Sequence, residues 1–106
     1  MSRPLAALAE QIGTVSDIYA KHYGIDRSGD WHLLKLQEEM GELTQAYLSA
    51  TGRSRRPAGE AARAELAREM ADTLGMLLLL ARKEGIDLDA AVDEKWLSWL
   101  DKEAAS

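Results

Sequence analysis

Apolar positions recur every three or four residues along most of the chain, which is the spacing of one face of an α-helix, and the alternation expected of strands is missing. The first such stretch runs from about Pro4, a good first-turn residue, to Tyr23, with Gly24 as its stop; Leu5, Leu8, Ile12, Val15 and Tyr19 form its stripe. A second helix is predicted from 31 to 51. Asp30 is its candidate cap and Gly52 its stop, and Leu33, Leu36, Met40, Leu43, Tyr47 and Ala50 form the face that must pack on something apolar. Gly41 lowers helix propensity inside that segment and suggests a close approach.

The third helix is expected to open between Gly59 and Ala61 and to close at Glu84 before Gly85. Its first half mixes charge with alanine. Leu74 to Ala81 is apolar on every face, so it expects burial on every side, and it is far too short to span a bilayer. The last helix begins after Asp87 or Asp89, either of which can cap it, and carries Leu88, Val92, Trp96, Trp99 and Leu100 as core candidates. The pattern therefore describes an all-α chain, residues 1–106 as one domain of four helices. A helix with no polar face is easiest to satisfy if a second copy covers it, so a homo-oligomer is expected.

Composition narrows the functional classes. The 106 residues include no cysteine, which removes disulfides, thiolate metal sites and cysteine nucleophiles. A net charge of -5 disfavours nucleic-acid polymers and anionic membranes as partners. The local exception, Arg53, Arg55 and Arg56, lies in a Gly/Ser/Pro-containing stretch and reads as a solvated loop. The N-terminal stretch does not have the pattern of a signal peptide, so a cytoplasmic location is expected.

The chemistry is concentrated in carboxylates. Glu38, Glu39 and Glu42 flank the apolar stripe of the second helix, where Glu39 and Glu42 are one turn apart and can reach a common point. Glu69 and Asp72 repeat that one-turn pair on the third helix, directly before the apolar segment, and Glu65 extends the acidic edge backwards. Glutamate runs on helices are commonly solvated faces. Two such pairs on helices that pack antiparallel can instead converge four oxygen donors on one volume, the ligand set that Mg²⁺ or Mn²⁺ prefers.

The order Trp31, Lys35, Glu38-Glu39-x-x-Glu42, then Glu69-x-x-Asp72 followed by LGMLLLLA, resembles the MazG-type all-α nucleoside triphosphate pyrophosphohydrolases over roughly residues 30 to 100. The resemblance implies a four-helix bundle, dimeric or tetrameric, that cleaves a nucleotide with Mg²⁺ into a monophosphate and pyrophosphate, including a house-cleaning role on non-standard nucleotides. By analogy Glu39, Glu42, Glu69 and Asp72 hold the metal, and Glu38 and Lys35 assist catalysis. Trp31, Lys35 and Lys95 contact the substrate on the same analogy. Each has a simpler reading: Lys35 neutralises Glu38 or Glu39, Lys95 is a surface lysine, and Trp31 packs at a helix start, with His32 beside it exposed. The rival from another class is a non-catalytic helical module whose acidic flank binds a cation or a basic partner.

Overall fold

The computed structural model describes residues 4–55 and 58–105, so Arg56 of the basic cluster lies outside the described residues. It is all-α: α1 (Leu5–Tyr23), α2 (Trp31–Ala50) and α3 (Glu60–Glu84) are long. The C-terminal part is divided into α4 (Leu88–Val92), a π-helical turn (Asp93–Leu97) and α5 (Ser98–Ala105). Gly24 and Gly85 end α1 and α3 in the left-handed conformation, with φ of 62° and 67°, which an L side chain adopts only with strain.

α2 and α3 form an antiparallel hairpin that is the main packing unit, and α1 lies against α3 on one side of it. The α2 positions of least exposure are His32, Glu39 and Ala46, supported by the half-buried Leu36 and Leu43. Their spacing of three and four is that of a coiled-coil seam. On α3 the corresponding run is Ala62, Leu66, Glu69, Thr73, Met76 and Leu80, all half-buried. A glutamate therefore occupies the seam on each helix.

That seam corrects the expected stripe on α2 by one position. Leu33, Met40 and Tyr47 are 52%, 44% and 48% exposed, because the adjacent face turns toward α3 instead. His32, expected at the surface, is buried edge-on against Trp31 with ring centroids 5.0 Å apart. Burial lowers its pKa, assisted by the charges of Lys83 and Arg27. On α1 the buried positions are Ala9, Gly13 and Ala20, whereas Val15 and Tyr19 stay exposed. Small residues let α1 come close, so that Gly13 lies under the guanidinium of Arg82, itself paired with Glu10 at 3.0 Å. Gly41, by contrast, has open space where a Cβ would stand, so close packing within the chain does not explain it.

Two capping expectations also change. Asp30 makes no side-chain cap to α2. Asp87 caps α4 by accepting from the Ala90 amide at 3.1 Å. Asp89 instead crosses to α1, accepting from the Leu5 and Ala6 amides at 2.9 and 3.0 Å, and satisfies the free donors of that helix start. In the apolar part of α3, Leu78, Leu79 and Ala81 are buried while Leu74 and Leu77 are 43% and 42% exposed. Trp96, Trp99 and Leu100 are not core: α5 packs mainly on the π-helical turn, and the three side chains are 64–71% exposed. Among the described residues no helix is long and apolar enough to cross a membrane.

Candidate active site

At about 100° per residue, positions one before the seam point to the same side of an antiparallel hairpin, the side on which α1 lies. On α2 these are Trp31, Lys35, Glu38, Glu42 and Gln45; on α3 they are Ala61, Glu65, Arg68, Asp72, Gly75 and Leu79. α1 reaches across only part of this side. The covered part is a cleft of ≈ 870 Å³ whose walls include Tyr19 and Ile12 of α1, Arg27 of the α1–α2 loop, Trp31, Lys35 and Glu39 of α2, and Asp72 and Met76 of α3. The uncovered part is a more polar cleft of ≈ 460 Å³ lined by Glu42, Gln45, Ser49, Glu65 and Glu69.

The carboxylates stand where the two clefts meet. One oxygen each of Glu39, Glu69 and Asp72 lies within 4.8 Å of the others, a separation that a single octahedral oxygen-ligated cation can bridge. Glu39 is 8% exposed, and its Oε2, like Oε2 of Glu69, is enclosed without a hydrogen-bond partner. An enclosed carboxylate oxygen without a donor is costly, and a cation supplies what is missing. The donor set and its geometry therefore fit a hard divalent ion.

The electrostatics follow from this crowding. Burial, then the charges of Glu42 and Asp72, push the Glu39 carboxyl above its ordinary range, against the opposing pull of Lys35. Glu69 is pushed up to about 7 by desolvation of its carboxyl, by a hydrogen bond with Glu65, and by the charges of Glu42, Asp72 and Glu39. Without a cation Glu69 keeps its proton to a higher pH than an ordinary carboxylate does, and Glu39 is shifted in the same direction.

The remaining sequence-predicted residues separate into groups. Glu42 is exposed and faces the open cleft, close enough to raise both Glu39 and Glu69 but outside the three-oxygen cluster. Lys35 lines the covered cleft and its ammonium lies 3.3 Å from both oxygens of the exposed Glu38. Trp31 lines the same cleft, two turns from Glu39. Lys95 sits exposed on the π-helical turn and lines neither cleft of its own chain. Arg27 was not singled out by sequence, since nothing in IDRSGD shows that the α1–α2 loop folds back on α1. Its Nη1 donates to Ser16 Oγ and to Asp17 Oδ1, each at 2.9 Å.

Comparison with known proteins adds one finding. The family described as phosphoribosyl-ATP pyrophosphohydrolase matches residues 7–95, a span that takes in most of α1 and the carboxylates Glu38, Glu39, Glu42, Glu65, Glu69 and Asp72. No curated protein and no solved structure gives a significant match.

Proposed function

Because the chain belongs to the phosphoribosyl-ATP pyrophosphohydrolase family, within the MazG-like all-α superfamily of hydrolases acting on phosphoric anhydrides, we propose that it hydrolyses a nucleoside triphosphate between the α and β phosphates with Mg²⁺. The family's named substrate is itself a nucleoside triphosphate, modified on its base. The observation that carries the reading is the meeting of an apolar cleft and a polar, acidic one at three carboxylates with two enclosed, unpartnered oxygens. A nucleotide has that same division, an aromatic base at one end and a polyanion at the other.

Glu39, Glu69 and Asp72 would hold the ion, with Glu42 entering from the open side. Mg²⁺ or Mn²⁺ held by these residues would supply neutralisation of phosphate charge and activation of the attacking water. Lys35 stands beside Glu39 and offers the phosphates a cation, and Glu38 holds its ammonium in place. Trp31 gives the base a face to stack on, and α1 screens that end from water. The raised pKa values of Glu39 and Glu69 suit a site built to bind a cation and not to stand empty. We assign the active form to a homodimer or homotetramer, for which the exposed apolar face of the hairpin is the support.

The test is to incubate the purified protein with Mg²⁺ or Mn²⁺ and a panel of nucleotides, including phosphoribosyl-ATP and deaminated bases, and to identify the products. Monophosphate plus pyrophosphate is the expected outcome, and orthophosphate would exclude the reading. Glu39→Gln and Asp72→Asn should each lower turnover roughly a hundredfold or more while the helical circular dichroism is retained. Near wild-type activity in either variant would remove that residue from the ligand set.

A further inference from the structure

We propose that Arg27 is a specificity-determining residue that binds a second phosphate, carried on the base of the nucleotide, at the end of the covered cleft remote from the carboxylates. The inference rests on the proposed nucleotide hydrolysis and deepens it by naming the substrate class, nucleoside triphosphates whose base bears a further phosphorylated group. On α2, Trp31, Lys35 and Glu39 follow one another at four-residue steps along the cleft wall. The eight residues from Trp31 to Glu39 cover about 12 Å of helix, enough for a nucleoside monophosphate laid along the wall. With the triphosphate at the carboxylates, the base lies by Trp31, Tyr19 and Met76. A group carried on the base then reaches past Trp31 to the α1–α2 loop, which supplies Arg27 to the same cleft.

The cleft is electrically polarised along this line. Carboxylates crowd one end, Glu39 and Asp72 among its lining residues. At the other end Arg27 and Lys83 both place positive charge near the buried His32 and, after burial itself, oppose its protonation. Lys83 is held there by donating to the Gly29 carbonyl of the same loop. The acidic neighbours Asp17, Asp26 and Asp30 do not line the cleft. The guanidinium is oriented before any ligand arrives, since Nη1 donates to Ser16 Oγ and to Asp17 Oδ1, each at 2.9 Å. Nε and Nη2 have no protein partner among the described residues, so that edge of the planar fork presents two parallel donors, the arrangement that takes two oxygens of one phosphate. The Asp17 side chain is 57% exposed against 28% for Arg27, so water screens the ion pair and leaves the guanidinium available to a second anion. A phosphate gains both charge and paired hydrogen bonds there, whereas an unmodified base, ending at Trp31, offers Arg27 neither.

ATP and phosphoribosyl-ATP isolate the question, because they share the triphosphate and only the second carries a further phosphate on its base. Wild-type protein should show the higher kcat/KM on phosphoribosyl-ATP, and the ratio should fall as salt is raised. Arg27→Met should remove about tenfold or more of that preference, through KM and not kcat, and Arg27→Lys should restore part of it. If Arg27 only ties the loop to α1, Arg27→Met lowers Tm and leaves the ratio between the two substrates unchanged, which overturns the proposal. A wild-type preference for ATP also overturns it. Hydrolysis of no nucleotide in the panel removes the functional reading itself; active protein with a substrate ratio indifferent to Arg27 removes only this inference.

Discussion

Glu69 carries a proton that an ordinary glutamate would have lost, with a pKa of about 7. In the unfolded chain the same carboxyl titrates near its usual value, so between about pH 4.5 and 7 the folded state binds more protons than the unfolded one. A raised carboxyl pKa therefore gives stability at low pH that is lost as pH rises through the folded value. Glu39 shifts in the same direction. A divalent ion must displace these protons to bind, so its affinity should rise from about pH 5.5 to 7.5, with proton release on binding. Calorimetry in buffers of different ionisation enthalpy measures both quantities. Glu69→Gln should abolish most of the pH dependence and raise the metal-free Tm above about pH 7, where the wild-type carboxylate is charged and repels its neighbours. Affinity that does not vary over this range would mean that Glu69 does not take part.

At the scale of the helices, the elements and their ends were legible from periodicity and from Gly24 and Gly85, whereas the buried faces were not. The large apolar residues at 33, 40 and 47 outweigh the seam at 32, 39 and 46 in any hydrophobic count, since that seam contains a histidine and a glutamate. Glu39 faces the carboxylate cluster and His32 packs on Trp31, and a pattern of hydrophobicity has no way to register either. The carboxylate pairs that the structure brings together were legible because a carboxylate one turn from another is a local spacing. Arg27 depends on how a loop folds against α1, which is not local. Caps show the same division: Asp87 acts within its own turn, while Asp89 reaches a helix 83 and 84 residues earlier. Asp89→Ala should therefore cost about 1–2 kcal/mol, the upper part of the range for a lost N-cap, because two amides lose an acceptor together. Chemical denaturation with an unchanged m-value checks this, and an unaltered midpoint would show that water replaces the carboxylate without loss.

For the whole molecule, the radius of gyration is 16.8 Å, against about 13 Å for a compact domain of this length. Among the described residues the buried hydrophobic side chains are few: Ala9 and Ala20 of α1, Ala46 of α2, and Leu78, Leu79 and Ala81 of α3, of which Leu78 alone is a large side chain fully enclosed. Opposite the clefts, Leu33, Met40 and Tyr47 of α2 and Met70, Leu74 and Leu77 of α3 each follow the seam by one position, so they share the outer side of the hairpin. Both rows are 42–56% exposed in one chain. A second hairpin laid on this side would complete a four-helix bundle between copies, removing apolar surface from water at about 25 cal/mol per Å² without covering the clefts on the other side. Leu77 and Leu78 separate the two sides of the question, being adjacent in sequence and 42% and 1% exposed. Leu77→Lys should leave the helices formed but dissociate the oligomer in sedimentation at micromolar concentration, whereas Leu78→Lys should unfold the chain by burying an unpaired charge. A wild-type protein that sediments as a fully active monomer, or a Leu77→Lys variant that assembles normally, would exclude this face as the contact between copies.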